Sequence, residues 1–179
     1  IHFFQNGGLY SRPDVIDLTK YKSYNHEIAL AKTDMETKLR RYLQNGITTV
    51  IDVGANYQLL QQRKDFTDKK YSPTVYITGP LLTTYKSKVY ENLGENNPFA
   101  LTKTIEDGIN AVKQQLQYNP DFIKIWYIVG ADGLSIEKSA RKNLPIIKAI
   151  IDEAHKNNLK IAVHATQRIT AQLAVENGA

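Results

Sequence analysis

Asp121-Phe122-Ile123-Lys124-Ile125-Trp126-Tyr127 is the stretch on which the reading of this chain turns. It follows the breaker Asn119-Pro120, is rich in β-branched and aromatic residues, and reads as a strand running on to Val129. Side chains alternate between faces along a strand, so Lys124 shares a face with Phe122 and Trp126, and Ile123, Ile125 and Tyr127 take the other. A lysine in so apolar a setting is costly to bury as an ammonium. It must be paired, neutral or modified there, unless it snorkels out from an edge strand.

Outward from this strand, short β-branched runs alternate with longer amphipathic stretches. Upstream, Thr102–Tyr118 carries Ile105, Ile109, Val112 and Leu116 on one helical face, with Thr102 as a cap. Before it, residues 81–100 read as a long loop, a lid or pocket wall. Thr74–Thr78 reads as a strand after Ser72-Pro73, and Ile47–Val53 as another. The latter follows a helix over Thr33–Gln44, stopped by Asn45-Gly46, where glycine accepts the left-handed cap. Downstream come a helix over Leu144–Asn157 opened by Pro145, a strand over Lys160–Thr166, and a helix over Arg168–Asn177 closed by Gly178. Strand and helix in alternation mean parallel βα units and an α/β fold. Periodicity alone leaves an open doubly wound sheet and a closed barrel in competition. No G-x-G-x-x-G phosphate loop favours the former.

At 179 residues and 42% hydrophobic, residues 1–179 read as one domain. The net charge of +5 is spread along the chain with no basic block interleaved with aromatics, which argues against a nucleic-acid partner. With no cysteine there is no disulfide, iron–sulfur cluster or thiolate metal site. The compartment stays open, cytoplasmic or periplasmic. No run approaches the ~18 apolar residues of a membrane span.

Three positions could carry chemistry. Lys124 is the first, since a neutral buried amine can form a Schiff base or a carbamate. His164 is the second: it shares a strand face with Ala162 and Thr166 at the C-terminal end, where barrel enzymes project their catalytic groups. Alone it could equally be a hydrogen-bonded core histidine. His2, beside Ile1, means little by itself, but the three form an ordered set. Softer candidates for substrate contact lie in segments following strands: Asn6, Arg12, Asp14, Tyr57, Tyr85, Tyr127 and Thr166. Asp52 joins them from the end of a strand, where a structural hydrogen bond is an equal alternative. His26 and His155 read as solvated.

These stretches resemble the amidohydrolase superfamily, within it the imidazolonepropionase-like and prolidase-like branch of metal-dependent hydrolases. Ile1-His2-Phe3 is similar to the tail of the family's first-strand His-x-His motif, and Gly46–Asp52 to its second strand. Phe122-Ile123-Lys124-Ile125 resembles the fourth strand with its carboxylated lysine, and Val163-His164-Ala165 the fifth with its histidine. The resemblance implies a partial TIM (β/α)8 barrel, about strands one to five. It also implies a binuclear centre of divalent metals, zinc or manganese: His2 on the buried ion, Lys124 bridging as a carbamate, and His164 on the second ion. The reaction implied is hydrolysis of amide or cyclic-amide C–N bonds in a small-molecule substrate. The family's first histidine, sixth-strand histidine and eighth-strand aspartate have no counterpart here, and a complete barrel runs to ~250 residues. The expectation is therefore an inactive piece of an active parent, prone to self-association through its uncovered edges. A Schiff-base aldolase barrel using Lys124 and a non-catalytic fragment are the alternatives.

Overall fold

The computed structural model describes residues 21, 23–54, 56–85 and 93–179. Among the described residues are six α-helices and six strands, which alternate singly from α4 onward. Helices α1 (Tyr24–Thr33) and α2 (Met35–Gln44) lead into strand β1 (Thr49–Asp52). Helix α3 (Tyr57–Gln62) precedes β2 (Thr74–Ile77) and β3 (Leu81–Thr83), and β4 (Phe99–Leu101) precedes helix α4 (Ile105–Leu116). The chain then runs through β5 (Phe122–Trp126), α5 (Ile136–Lys156), β6 (Lys160–His164) and α6 (Arg168–Glu176). Every described strand pairing is parallel: β1 with β2, and β4-β3-β5-β6 in that order.

The helix stops work as their sequences imply. After α2, α4 and α5 the chain turns at left-handed residues, Gly46 (φ 76°), Asn119 (φ 50°) and Asn158 (φ 57°). These end each helix and release the chain into the next strand.

Between β2 and β3 lie only Thr78-Gly79-Pro80, and the buried Gln115 of α4 clamps this bend. Its Oε1 accepts from Gly79 N at 3.2 Å and from Thr78 Oγ1 at 3.3 Å, and its Nε2 donates to Pro80 O at 2.6 Å. A side chain on Gly79 would meet Gln115 Oε1 at 3.0 Å, so the close approach itself calls for glycine. Asp121 ties the second sheet to the first. Its backbone N donates to Ile77 O at 2.9 Å, and its Oδ2 accepts from Ile77 N at 2.7 Å while also pairing with Arg63.

One face of the sheets is buried under helices. Leu82, Ile123, Ile125 and Tyr127 pack with Val112 of α4, Ile147, Ile150 and Ile151 of α5, and Leu173 of α6. Each isoleucine removed from water here contributes about 1.5–3 kcal/mol. A second cluster joins Ile77 to Ile28, Met35, Leu39, Leu59 and Leu60 from the first three helices.

Several boundaries differ from the sequence reading. The helix expected over 33–44 is α2 alone, preceded by a separate α1 whose apolar pattern is weaker. Residues 81–100 are not all loop, because β3 and β4 stand at its two ends and pair with each other. The cap of α4 is Thr104: its hydroxyl accepts from Asp107 N, and Asp107 returns the bond, a complete capping box. Thr102 is buried instead and donates to Thr83 O at 3.1 Å. Pro145 does not open a helix either. It lies within the 21-residue α5, which Ser135 caps. Proline usually marks a first turn, but with Ala140 packed in the core and Ser139 buried beside it this helix extends eight residues further upstream than Leu144.

Candidate active site

Strand register places the candidate residues. Lys124 pairs with Ala162 and Trp126 with His164, so all four side chains lie on one face. The opposite face of β5, Ile123, Ile125 and Tyr127, is the one covered by helices. Lys124 and His164 are offset by one strand and two residues, a Cα separation of about 8 Å from strand spacing and rise. That lies within the joint reach of a four-carbon stem and an imidazole. Lys124 is only 7% exposed and His164 is half-buried.

Aromatic rings surround this pair. Trp126, 6% exposed, has the Phe99 ring at 4.7 Å, the Tyr85 ring edge-on at 5.5 Å and the His164 ring at 6.3 Å. Leu82 registers with both Ile125 and Ala100, which sets Leu81, Thr83 and Phe99 on the Lys124 face. Thr83 braces the rim, its Oγ1 donating to Trp126 O at 2.9 Å and accepting from Tyr85 N at 3.0 Å. Sequence reasoning singled out Tyr85 but missed Trp126 and Phe99 as site residues. Their signal was present in strand parity for Trp126, and hidden for Phe99 in what reads as loop.

The other sequence candidates fall elsewhere. Asp52 is fully buried beside Val50 on the face of β1 that registers with Val75 and Ile77, toward the helices, and its carboxylate accepts from Gly54 N at 3.1 Å. Tyr127 is also turned into the helical layer, where its hydroxyl donates to Ala140 O at 2.6 Å and burial pushes its phenol up to about 12. Thr166 is exposed beyond the end of β6. The Tyr57 ring lies tilted against that of Tyr118, centroids 4.9 Å apart, and burial raises its phenol to about 12 as well. His26 and His155 are exposed. His2, Asn6, Arg12 and Asp14 lie outside the described residues.

Among the described residues no three or more histidine, aspartate or glutamate side chains gather into a metal-sized group. The donors at hand are one imidazole and one lysine, whose amine becomes a pair of anionic oxygens on carboxylation. That donor chemistry suits a divalent ion with imidazole and oxygen ligands. A cleft of about 1060 Å³ lies at the opposite, N-terminal ends of β2 and β5, lined by Arg63, Ser72, Thr74, Asn119 and Asp121. It is remote from Lys124 and His164. No described helix is long and apolar enough to cross a membrane.

Comparison with known proteins agrees with the architecture. No protein-family model matches the chain, and no curated protein matches it. Among solved structures, the A. niger ochratoxinase superposes with a TM-score of 0.71 at 19% identity, over 100% of this chain and 44% of its own. An amidohydrolase gives 0.63 at 21% identity over 84% of this chain and 40% of its own. A Xaa-Pro dipeptidase with methionine bound in its active site gives 0.63 at 18% identity, over 89% and 41%. The chain thus spans less than half the length of each of these three structures, and over the aligned residues it shares their fold.

Proposed function

We propose that these residues form part of the catalytic barrel of a metal-dependent amidohydrolase that cleaves amide, dipeptide or cyclic-amide C–N bonds in small substrates. The observation that carries this reading is the shared face of buried Lys124 and rim-placed His164 on adjacent parallel strands. Similarity of fold to an ochratoxinase, an amidohydrolase and a Xaa-Pro dipeptidase supports it.

Lys124 is buried on the face it shares with Phe122 and Trp126. On this reading its amine takes up carbon dioxide, forming an N–C bond and releasing a proton, and the resulting carbamate offers two oxygens. His164 adds a ring nitrogen beside it, and His2 would supply another on this reading. When bound, a pair of divalent ions, zinc or manganese, polarises the scissile carbonyl and makes water nucleophilic near neutral pH. Lys124 and His164 hold and orient, and the rings of Trp126, Phe99 and Tyr85 exclude bulk water from the carbonyl. In the net reaction water adds across the amide. A C–O bond forms, the C–N bond breaks, and the amine departs with a proton, leaving a carboxylate.

Metal analysis after incubation with zinc, with and without bicarbonate, tests the reading. Uptake that requires bicarbonate and disappears in Lys124→Met and His164→Ala is expected. Uptake indifferent to both substitutions would overturn it. Borohydride trapping of a carbonyl compound on Lys124 would instead establish the Schiff-base chemistry of an aldolase.

A further inference from the structure

The cleft of about 1060 Å³ at the N-terminal ends of β2 and β5 lies away from Lys124 and His164, and amide hydrolysis gives it no task. Its lining comes from the segment after α3, the segment after α4 and the first residues of β2. Phe66 is 3% exposed and belongs to the core cluster of Leu59 and Leu60, which anchors the turn that carries the charges.

Those charges do not balance. The Arg63 guanidinium is engaged by the Asp121 carboxylate and by Asn119 O, so that pair cancels. What remains is Lys64, Lys69 and Lys70 against Asp68 alone. All three lysines are exposed, and their ammonium groups have no hydrogen-bond or ion-pair partner among the described residues. On the helices, by contrast, Arg40 is matched by Glu36, Arg141 by Glu137 and Lys148 by Asp152, each one turn away. Three like charges around one concavity, over an apolar floor of Leu60, Phe66 and Pro73, focus a positive potential there.

We propose that this cleft binds an anionic ligand made of linked phosphate groups, at a site separate from the Lys124 face. Carboxylates are held best by a two-pronged guanidinium, and the one guanidinium in the cleft is already engaged. Ammonium groups act as point charges, which suits the multiply charged phosphate. Three of them spread around a cleft of this size match two or more linked groups better than one. The side-chain amides of Gln117 and Asn119 also line it without partners among the described residues, and can donate to phosphate oxygens. The inference stands apart from the amidohydrolase reading, and Lys124→Met should leave it untouched.

Calorimetric titration with inorganic triphosphate at about 0.15 M ionic strength, where distant surface charges are screened, tests the site. One triphosphate per chain is expected, with citrate, a multivalent carboxylate, at least about tenfold weaker. Lys64→Ala/Lys69→Ala/Lys70→Ala should weaken triphosphate by about a hundredfold, the scale of three ion pairs at a wet surface. Lys103→Ala/Lys113→Ala/Lys138→Ala removes the same charge from exposed positions outside the cleft and should leave binding unchanged. Unfolding midpoints of both variants, taken alongside, separate lost binding from lost folding. Adenosine triphosphate distinguishes the two sources of such a ligand. Equal or weaker binding than triphosphate assigns the cleft to the phosphates alone, and tighter binding assigns it to a nucleotide. The absence of saturable binding, citrate as tight as triphosphate, or equal losses in the two triple variants would overturn the proposal.

Discussion

Ile123, Ile125 and Tyr127 on one face of β5 are fully buried against α4 and α5, whereas Phe122, Lys124 and Trp126 on the other look away from every described helix. Both faces exclude water, but by different means. The first is aliphatic and contiguous with a core drawn from three helices, and its role is stability. The second combines a lysine with a cluster of rings and a histidine on the neighbouring strand, a combination that offers little packing advantage over leucines. On the proposed reading the second face serves chemistry rather than packing, and substitutions on the two faces should separate accordingly.

The largest effect is expected on the helix side. Ile125→Ala removes a fully buried side chain and should cost about 2–5 kcal/mol in denaturant unfolding, as buried Ile/Leu→Ala changes do. Lys124→Met, one residue away, changes a side chain outside the helix-side core and should lower that midpoint by less. On the proposed reading, the same substitution in a catalytically competent barrel should lower amide hydrolysis by more than about a hundredfold, beyond the loss from removing a group that merely orients a ligand. If Lys124→Met destabilised as much as Ile125→Ala, the distinction between the faces would collapse.

This division was legible in the residues. Strand parity over 122–127 assigned each side chain to its face, because the period of two is set by backbone geometry alone. Lys124 and His164 were readable for the same reason, their faces following from position within short runs. Asp52 shows the limit of that logic. Parity paired it correctly with Val50, but which face meets the helices depends on α1, α2 and α3, and two of those were not foreseen. Tyr127 likewise reads as a candidate for substrate contact until α5 begins at Ile136 and supplies the Ala140 carbonyl. Phe99 was hidden because β4 is only three residues long, and its partner β3 lies sixteen residues upstream. Short strands defined by pairing carry no periodicity of their own.

Smaller effects refine the contrast. Tyr127→Phe breaks the bond to Ala140 O and should cost about 1 kcal/mol, with no change in metal uptake. Alkaline titration provides a related check. A tyrosine in an unfolded chain ionises near pH 10, while Tyr127 and Tyr57 in the folded chain are held up to about 12 by burial. Between those values the unfolded state has released protons that the folded state keeps. Stability is therefore intact below pH 10 and falls as pH rises toward 12. Tyr127→Phe should flatten that decline, read as the unfolding midpoint against pH. A decline identical to that of the unsubstituted protein would show that Tyr127 does not ionise as its burial implies. At the small end, Thr104→Ala removes the cap of α4 and should cost about 1 kcal/mol without altering either face of β5.

Diffraction from zinc-loaded crystals, with anomalous scattering measured at the zinc edge, tests the central claim most directly. The account predicts a peak about 2.0–2.1 Å from a ring nitrogen of His164 and about 2.0–2.2 Å from an oxygen on carboxylated Lys124. Zinc bound elsewhere, with Lys124 an unmodified amine turned away from the His164 ring, would contradict it.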